Sequence, residues 1–208
     1  QRPMLEYVVR LLKFHGITDI AFLVNYKAEQ IVNYFDDGSR FNVKISYVRD
    51  IAKLKGTAGS ILNAYRQGVV SQGDTLFVYY GDILTTLDAG DLVKYHFKKR
   101  ASATVALASG FSVRVGLADM DKRGRIHGFV EKPQLEKPVS IGIMVLKGDT
   151  LQDVEMLSKG KQRLDLMGNL IPHLIEEAKP VYGYLSKAFW YDVGSMEAYE
   201  KLNHRLIE

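Results

Sequence analysis

The sequence predicts an α/β protein with a mixed, mainly parallel sheet that carries helices on both faces. Short apolar runs typical of buried strands alternate with helix-periodic segments through residues 1–100. Residues 101–208 add strands that are expected to include antiparallel neighbours. Because no Pro/Gly/Ser-rich linker interrupts the chain, we expect one domain over 1–208, made of these two halves.

The first half alternates regularly between helices and strands. In chain order, the predicted elements are a helix from Pro3 to Gly16, a strand Asp19–Val24, a helix Ala28–Phe35, a strand Val43–Val48, a helix entered at Gly56–Gly59, and a strand Thr75–Tyr80. Such alternation favours right-handed crossovers and parallel strands, and ligands of these sheets bind beyond the carboxyl ends of the strands. Asp82 follows the last of these strands and stands in that position.

The second half no longer alternates regularly between helices and strands. Its predicted elements are a helix Leu87–Arg100, a strand Ala103–Ala108, a hairpin of strands Val113–Met120 and Arg125–Val130, a strand Ser140–Leu146, a helix Leu164–Ala178, a strand Val181–Leu185 and a helix Met196–Leu206. In the helix that begins at Leu164, the residues expected to face inward are Leu164, Leu166, Leu170, Ile171, Leu174 and Ile175.

Composition excludes several classes of protein. The chain has no cysteine, so disulfides and thiolate metal sites are excluded. No apolar run reaches the length of a membrane span, and the net charge of +4 is a mild excess. The basic run Lys98–Arg100 is too short for a nucleic-acid-binding stripe. We therefore expect a soluble, cytoplasmic protein that binds neither nucleic acid nor membrane.

Two motifs that contain glycine occupy loop positions in the first half. Gly56–Thr57–Ala58–Gly59 enters a helix, where glycines let a ligand approach the backbone and the N–H groups of the first turn favour polar or anionic partners. The structural alternative is a tight loop with Thr57 as the N-cap. Gly81–Asp82 follows an apolar strand, and its carboxylate is suited either to Mg²⁺ or to capping a turn.

Two charged motifs stand near strand ends in the second half. In Glu131–Lys132–Pro133, the carboxylate is suited to sugar hydroxyls and the ammonium to a phosphate, although the motif alone favours an exposed ion pair. Trp190–Tyr191–Asp192–Val193–Gly194 precedes the last predicted helix. Asp192 is either a second metal carboxylate or a group that stabilises the coming helix, with Trp190 in the core.

Together, Gly-Thr-Ala-Gly, Gly-Asp, Val-Glu-Lys-Pro and Trp-x-Asp-Val-Gly stand in the order and approximate spacing found in the sugar-1-phosphate nucleotidyltransferases. The chain resembles that family from Arg2 to its final helix, and looks closest to the short mannose-1-phosphate guanylyltransferases and to glucose-1-phosphate uridylyl- or thymidylyltransferases. The resemblance implies a Rossmann-like nucleotide-diphospho-sugar transferase fold. It also implies a nucleotide-binding half over 1–100 and a sugar-phosphate-binding half over 101–208.

The resemblance implies a role for each matching residue. The nucleotide-binding positions are Gly56, Thr57, Ala58, Gly59 and Gly81. The sugar-phosphate positions are Glu131, Lys132 and Gly142, the metal positions are Asp82 and Asp192, and the catalytic positions are Lys132, Asp82 and Asp192. The five histidines show no ligand spacing and receive no role.

The implied reaction is attack by a sugar-1-phosphate oxygen on the α-phosphorus of a nucleoside triphosphate, with Mg²⁺ as cofactor. We expect mannose-1-phosphate and GTP as substrates; the alternatives are a glucose-1-phosphate uridylyl- or thymidylyltransferase and a non-catalytic regulatory subunit that binds nucleotide-sugars. A glycosyltransferase with an Asp-x-Asp motif is disfavoured, because Leu84 stands two residues after Asp82. Relatives often assemble, so a homo-oligomer remains open.

The sequence also departs from the family pattern. Members begin with a strand and a Gly-Gly-x-Gly-Thr-Arg loop, followed by a Pro-Lys pair, and the sequence as written lacks these. We therefore expect it to miss the first strand of the sheet and to be inactive. Leu54–Lys55 replaces the usual Pro-Leu before the base loop, and Ser140–Met144 replaces Asn-Ala-Gly-Ile-Tyr, which removes an amide that would bind sugar hydroxyls.

Overall fold

The structure, a computed structural model, describes residues 2–51, 54–110, 115–134 and 137–194. The helices are α1 (Met4–Phe14), α2 (Ala28–Phe35), α3 (Thr57–Arg66), α4 (Ala89–Lys99), α5 (Thr150–Leu157) and α6 (Ile171–Glu176), with a 3₁₀ turn at Ser39–Phe41 and a π-helical turn at Leu166–Leu170. The strands are β1 (Asp19–Val24), β2 (Lys44–Arg49), β3 (Thr75–Tyr79), β4 (Ile83–Thr85), β5 (Ala103–Ala108), β6 (Leu117–Met120), β7 (Ile126–Val130), β8 (Val139–Lys147), β9 (Val181–Ser186) and β10 (Trp190–Asp192).

Four strands form the largest sheet, in the order β3-β8-β5-β9. Strand β8 runs antiparallel to both β3 and β5, whereas β9 runs parallel to β5. Three further pairs complete the pattern: β1–β2 is parallel, and β4–β10 and β6–β7 are antiparallel. The mixed α/β class is confirmed. Parallel pairing, which we expected to dominate, joins only β1–β2 and β5–β9 among the strands described.

The central strand β8 explains how helices cover both faces of the main sheet. Its side chains alternate between two apolar clusters, because successive residues of a strand point to opposite faces. Met144 and Leu146 join the cluster that α3 and α5 cover. Ile143 and Val145 join the cluster that includes Leu92 of α4. A strand that is buried on both faces in this way has an almost continuously apolar sequence.

A third apolar cluster joins the β1–β2 pair to the main sheet. It contains Val9 of α1, Phe22 of β1 and Phe35 of α2. Phe77 and Tyr79 of β3 pack both against this cluster and against the cluster on the α4 face of the sheet. Strand β3 therefore forms the common boundary of the two regions. None of the helices in the ranges described is long and apolar enough to span a membrane.

Most element predictions are confirmed, and the bounds of β1, α2 and β5 agree with those expected. The helix expected from Leu164 begins later, because Asp165 is extended, with φ −111° and ψ 143°. Ile175, which we expected to face inward, is 59% exposed. The short elements α5, β4 and β10 were not expected. The predicted final helix, Met196–Leu206, lies outside the described residues, as do the first two residues of the predicted strand Val113–Met120.

Glu6 is a buried carboxylate in α1, with 3% of its surface exposed. Burial alone would raise the pKa of Glu6, but hydrogen bonds from the Tyr34 hydroxyl and the Arg10 guanidinium outweigh it, so its pKa lies below 4.5. Because the native state favours the ionised form, Glu6 stabilises the fold above pH 4.5, and this contribution is lost as pH falls through the lowered pKa.

We expect Glu6→Gln to lower the free energy of unfolding by about 2 kcal/mol at neutral pH, since charged hydrogen bonds are lost. The difference from the wild type should shrink as pH is lowered from about 6 to about 3. Urea unfolding followed by circular dichroism across this range measures both quantities. Glu176→Gln, at an exposed position of α6, is the control. A difference between Glu6→Gln and the wild type that stays constant with pH would contradict the role given to the ionised form.

Candidate active site

Two aspartates that are distant in sequence meet where β4 pairs with β10. Asp82 directly precedes β4, and Asp192 is the last residue of β10. The antiparallel register places Asp192 opposite Ile83, and the Val193 N–H donates to the Asp82 carbonyl at 2.8 Å. Main-chain pairing of two short strands therefore holds the Gly-Asp and Trp-x-Asp-Val-Gly motifs side by side.

The side chains of the two aspartates converge over Gly194. A Cβ at Gly194 would lie 2.9 Å from Asp192 Oδ1 and 3.1 Å from Asp82 Oδ2. Both aspartates are exposed, and the Gly194 N–H donates to Asp192 Oδ1 at 2.8 Å. Two carboxylates that flank one small volume suit Mg²⁺, which binds through one or two protein carboxylates together with phosphate and water oxygens. Within the described ranges, no cluster of three or more His, Cys, Asp or Glu side chains could hold a metal.

The Gly56–Gly59 segment, here called the 56–59 loop, is held by a distant part of the chain, the 162–166 segment. Lys55 exchanges main-chain hydrogen bonds with this segment: its N–H donates to the Gln162 carbonyl, and its carbonyl accepts from the Leu164 N–H. The Ala58 and Gly59 N–H groups donate to the Leu164 carbonyl at 2.9 and 3.0 Å. The Thr57 N–H donates to Asp165 Oδ1 at 3.2 Å.

These contacts change the interpretation of the 56–59 loop. The N–H groups at the start of α3, which we expected to favour an anionic ligand, donate to protein oxygens instead. Thr57 is not the N-cap: Gly56 occupies that position, and Thr57 Oγ1 accepts from the Leu166 N–H at 2.9 Å. The side chain of Ala58 is fully buried in the apolar cluster under α3. Of the loop, Gly56 and Thr57 retain partial exposure.

Asp165 was not among the site residues expected from the sequence. A hydrogen bond from Arg163 lowers the pKa of Asp165 against the opposing effect of burial, and the Thr57 N–H contributes in the same direction. Its contact with Thr57 joins residues 108 positions apart. Local sequence patterns cannot predict a contact between residues so far apart. The apolar periodicity after Asp165 led us to assign this segment to a helix rather than to a site.

Tyr80 links the 56–59 loop to the predicted sugar strand. Its hydroxyl lies 3.4 Å from Thr57 Oγ1, and its N–H donates to the Gly142 carbonyl at 3.0 Å. Burial raises the pKa of Tyr80. Gly142 has φ +75°, and a Cβ there would lie 3.2 Å from both the Tyr80 ring and the Ile83 side chain. Packing against Tyr80 and Ile83 is therefore one reason for glycine at 142, and Gly81 and Asp82 follow Tyr80 directly.

The Glu131–Lys132 pair lies at the end of the β6–β7 hairpin, and both residues are exposed. Glu131 Oε2 lies 2.9 Å from the position that a Cβ of Gly116 would occupy, and Lys132 has φ +49°. The chain enters the hairpin through 111–114 and leaves it through 135–136, both outside the described residues. The structure thus brings three of the four predicted motifs together, and locates the fourth on the hairpin without a described contact to the others.

Comparison with known proteins identifies the family. Residues 1–208 match the nucleotidyl transferase family, and the chain belongs to that family. It is 32% identical to a UTP–glucose-1-phosphate uridylyltransferase of Synechocystis over 96% of the chain, and 26% identical to a mannose-1-phosphate guanylyltransferase of Mycobacterium tuberculosis over 99%. The chain spans 54% and 56% of the lengths of these two relatives.

A solved structure shows the same fold. A Bacillus anthracis protein assigned as a glucose-1-phosphate thymidylyltransferase, in complex with sucrose, superposes with a TM-score of 0.73 at 22% identity. The alignment covers 96% of this chain and 80% of that one. Together with the family match, this confirms the nucleotide-diphospho-sugar transferase fold that the four motifs implied.

We expect Gly56→Ala to destabilise the protein through its contact with the 162–166 segment. Gly56 has φ +87°, and a Cβ there would lie 2.6 Å from the Leu164 carbonyl oxygen and 2.7 Å from Asp165 Oδ1. The control is Gly68→Ala, at φ +72° with no neighbouring atom within 4 Å. Backbone strain should cost about 1 kcal/mol at either position, and the clash should add about 2 kcal/mol at Gly56. Equal losses in urea unfolding would show that the close approach of Leu164 imposes no constraint.

Proposed function

We propose that this protein transfers a nucleotidyl group from a nucleoside triphosphate to a sugar-1-phosphate and releases pyrophosphate. The observation that carries the proposal is the convergence of Asp82 and Asp192 over Gly194. Tyr80, two residues before Asp82, contacts both Thr57 and Gly142. The carboxylate pair therefore stands beside the two segments that the family resemblance assigns to the nucleotide and to the sugar.

The chemistry needs alignment and charge neutralisation. An oxygen of the sugar-1-phosphate attacks the α-phosphorus and forms the new P–O bond. The bond from the α-phosphorus to the bridging oxygen breaks, and pyrophosphate leaves with the electron pair. The attacking oxygen is already anionic, so no general base is required, which fits the pairing of Asp82 and Asp192 beside Gly194. Rate enhancement then comes from holding the two phosphates in line and offsetting their charge.

Asp82 and Asp192 would hold Mg²⁺ through the carboxylate oxygens that lie within 3.1 Å of one point, the position of a Cβ on Gly194. Bound there, the cation would supply positive charge to the α-phosphate. Two protein carboxylates leave the remaining coordination positions to phosphate and water oxygens, which is the usual arrangement for Mg²⁺ at phosphate-transfer sites. Lys132 would bind the sugar-1-phosphate through its ammonium group, and Glu131 would accept hydrogen bonds from sugar hydroxyls.

The nucleotide would bind with its base at the 56–59 loop. Because the N–H groups of Thr57, Ala58 and Gly59 donate to Leu164 and Asp165, this loop presents no open anion site. A neutral base is a better match for such a surface than a phosphate group. The triphosphate would instead extend from the loop towards the carboxylate pair, past Tyr80 and Gly81.

We propose two substrate pairs as the main candidates for this reaction. GTP with mannose-1-phosphate is the pair expected from the family resemblance, and the Mycobacterium tuberculosis relative is named for that activity. UTP with glucose-1-phosphate is favoured by the 32% identity to the Synechocystis uridylyltransferase. A regulatory subunit that binds nucleotide-sugars without turnover is the alternative function. The paired carboxylates weigh against it, because binding alone does not require two metal ligands.

The decisive measurement is pyrophosphate release by the protein expressed from its complete reading frame. Mannose-1-phosphate and glucose-1-phosphate are each combined with GTP, UTP, dTTP, ATP and CTP in the presence of Mg²⁺. We expect release with one preferred pair, and a loss of about 100-fold or more in kcat for Asp82→Asn and for Asp192→Asn. Asp149→Asn, at an exposed carboxylate that pairs with Lys147, is the control. A folded protein that binds nucleotide-sugar but releases no pyrophosphate with any pair would support the regulatory alternative.

Gly194→Ala tests the cation position independently of ligand removal. Both carboxylates remain, but the methyl group would occupy the space between them. We expect the Mg²⁺ concentration for half-maximal rate to rise by about tenfold, since displaced ligands weaken a site that demands near-ideal geometry. Gly73→Ala, whose Cβ would meet its nearest neighbour at 3.7 Å, is the matched control. An unchanged Mg²⁺ dependence in Gly194→Ala would place the cation elsewhere.

A further inference from the structure

Asp165 occupies the place that an anionic ligand takes at many helix starts. Its Oδ1 accepts from the Thr57 N–H, and the same oxygen lies 2.7 Å from the position of a Gly56 Cβ. Its Oδ2 accepts from Arg163 Nε at 2.9 Å. The hydrogen bond from Arg163 lowers the pKa of Asp165 against the effect of burial, and the Thr57 N–H at the start of α3 adds to that lowering. The positive end of a helix also favours a carboxylate at this position.

Within the 56–59 loop, the Asp165 carboxylate contacts only the partly exposed end, at Gly56 and Thr57. The buried end is held separately, because Ala58 and Gly59 donate to the Leu164 carbonyl and Ala58 packs in the apolar cluster under α3. Leu164 is itself completely buried. Removal of the Asp165 carboxylate should therefore loosen the main chain at Gly56 and Thr57. Thr57 Oγ1 keeps its contacts with the Leu166 N–H and the Tyr80 hydroxyl, and the buried start of α3 keeps its contacts with Leu164.

We propose that Asp165 is a positioning residue for the nucleotide. It acts through Gly56 and Thr57, the partly exposed residues of the 56–59 loop, by fixing the main chain against which the base would lie. The inference rests on the proposed function, and it adds a residue that none of the four motifs contains. The described hydrogen bonds of the Asp165 carboxylate lie on the predicted nucleotide side, with none to Gly142, Glu131 or Lys132. Asp165 acts on the predicted sugar strand only indirectly, since its charge adds to the effect of burial in raising the pKa of Tyr80, whose N–H donates to the Gly142 carbonyl.

The test compares the two Michaelis constants in three variants. Asp165→Ala removes the acceptor for the Thr57 N–H, Asp165→Asn keeps an oxygen acceptor without charge, and Arg163→Gln removes the ion-pair partner but leaves the carboxylate. In Asp165→Ala we expect the KM for the nucleoside triphosphate to rise by about tenfold, with kcat and the KM for the sugar-1-phosphate within about twofold of wild type. Asp165→Asn should recover most of the loss, and Arg163→Gln should change either KM by less than about twofold.

Calorimetric titration with the nucleoside triphosphate separates this inference from the proposed function. If the wild type binds nucleotide without turnover, the proposed function fails, and binding about tenfold weaker in Asp165→Ala still supports the positioning role. Equal increases in both KM values, or nucleotide binding unchanged in Asp165→Ala, would overturn the inference. Should Asp165→Ala fail to fold, Asp165→Ser replaces it, because the shorter side chain keeps a polar group but does not reach Thr57.

Discussion

The structure depends on the contact between the Leu164 carbonyl and the start of α3. One oxygen accepts the N–H groups of both Ala58 and Gly59, and the Leu164 side chain lies in the apolar cluster shared by α3, α5 and β8. This contact joins a segment late in the chain to the loop that follows β2. It also imposes the glycine at 56, because any Cβ there would collide with the same carbonyl. The contact with Leu164 therefore determines both the packing of α3 and the conformation of the 56–59 loop.

The carboxylate pair depends on a second long-range contact, the pairing of β4 with β10. Each of these strands has three residues, and neither would persist as an isolated ribbon. Ile83 and Leu84 of β4 are buried, and Trp190 packs against the cluster on the α4 face of the sheet. The apolar residues of the two strands thus anchor a pair whose polar ends are exposed. The position of the aspartates is set by this core rather than by contacts between the carboxylates themselves.

The sequence allowed the long elements to be predicted, because each has its own periodicity. The runs at Asp19–Val24 and Ala103–Ala108 are apolar enough to be recognised alone, and the four motifs together indicated the family. Elements whose pattern is decided by distant partners could not be predicted. Strands β4 and β10 are too short to show a period, and the N–H groups of the 56–59 loop looked open because their acceptors lie more than a hundred residues away. Asp165 was missed for the same reason.

The direction of β3 could not be deduced from local sequence either. A strict alternation of helices and strands favours parallel neighbours, and β1 and β2 follow that rule. Strand β3 lies instead beside β8, a nine-residue strand from the second half, and runs antiparallel to it. The strand at the centre of a sheet must bury apolar side chains on both faces. Strand β8 does so, because its alternate residues belong to the apolar clusters on the two faces of the sheet.

The carboxylate at the start of α3 has a consequence for dissolved ions. Asp165 belongs to the same chain as the start of α3. Its carboxylate therefore has an effective concentration beside the Thr57 N–H far above that of a free anion in solution. Inorganic phosphate and sulfate must displace this carboxylate to reach the Thr57 N–H, and the Ala58 and Gly59 N–H groups already donate to the Leu164 carbonyl. Because oxygens of the chain itself accept from these N–H groups, we expect the geometry of the 56–59 loop to depend little on the phosphate content of its surroundings.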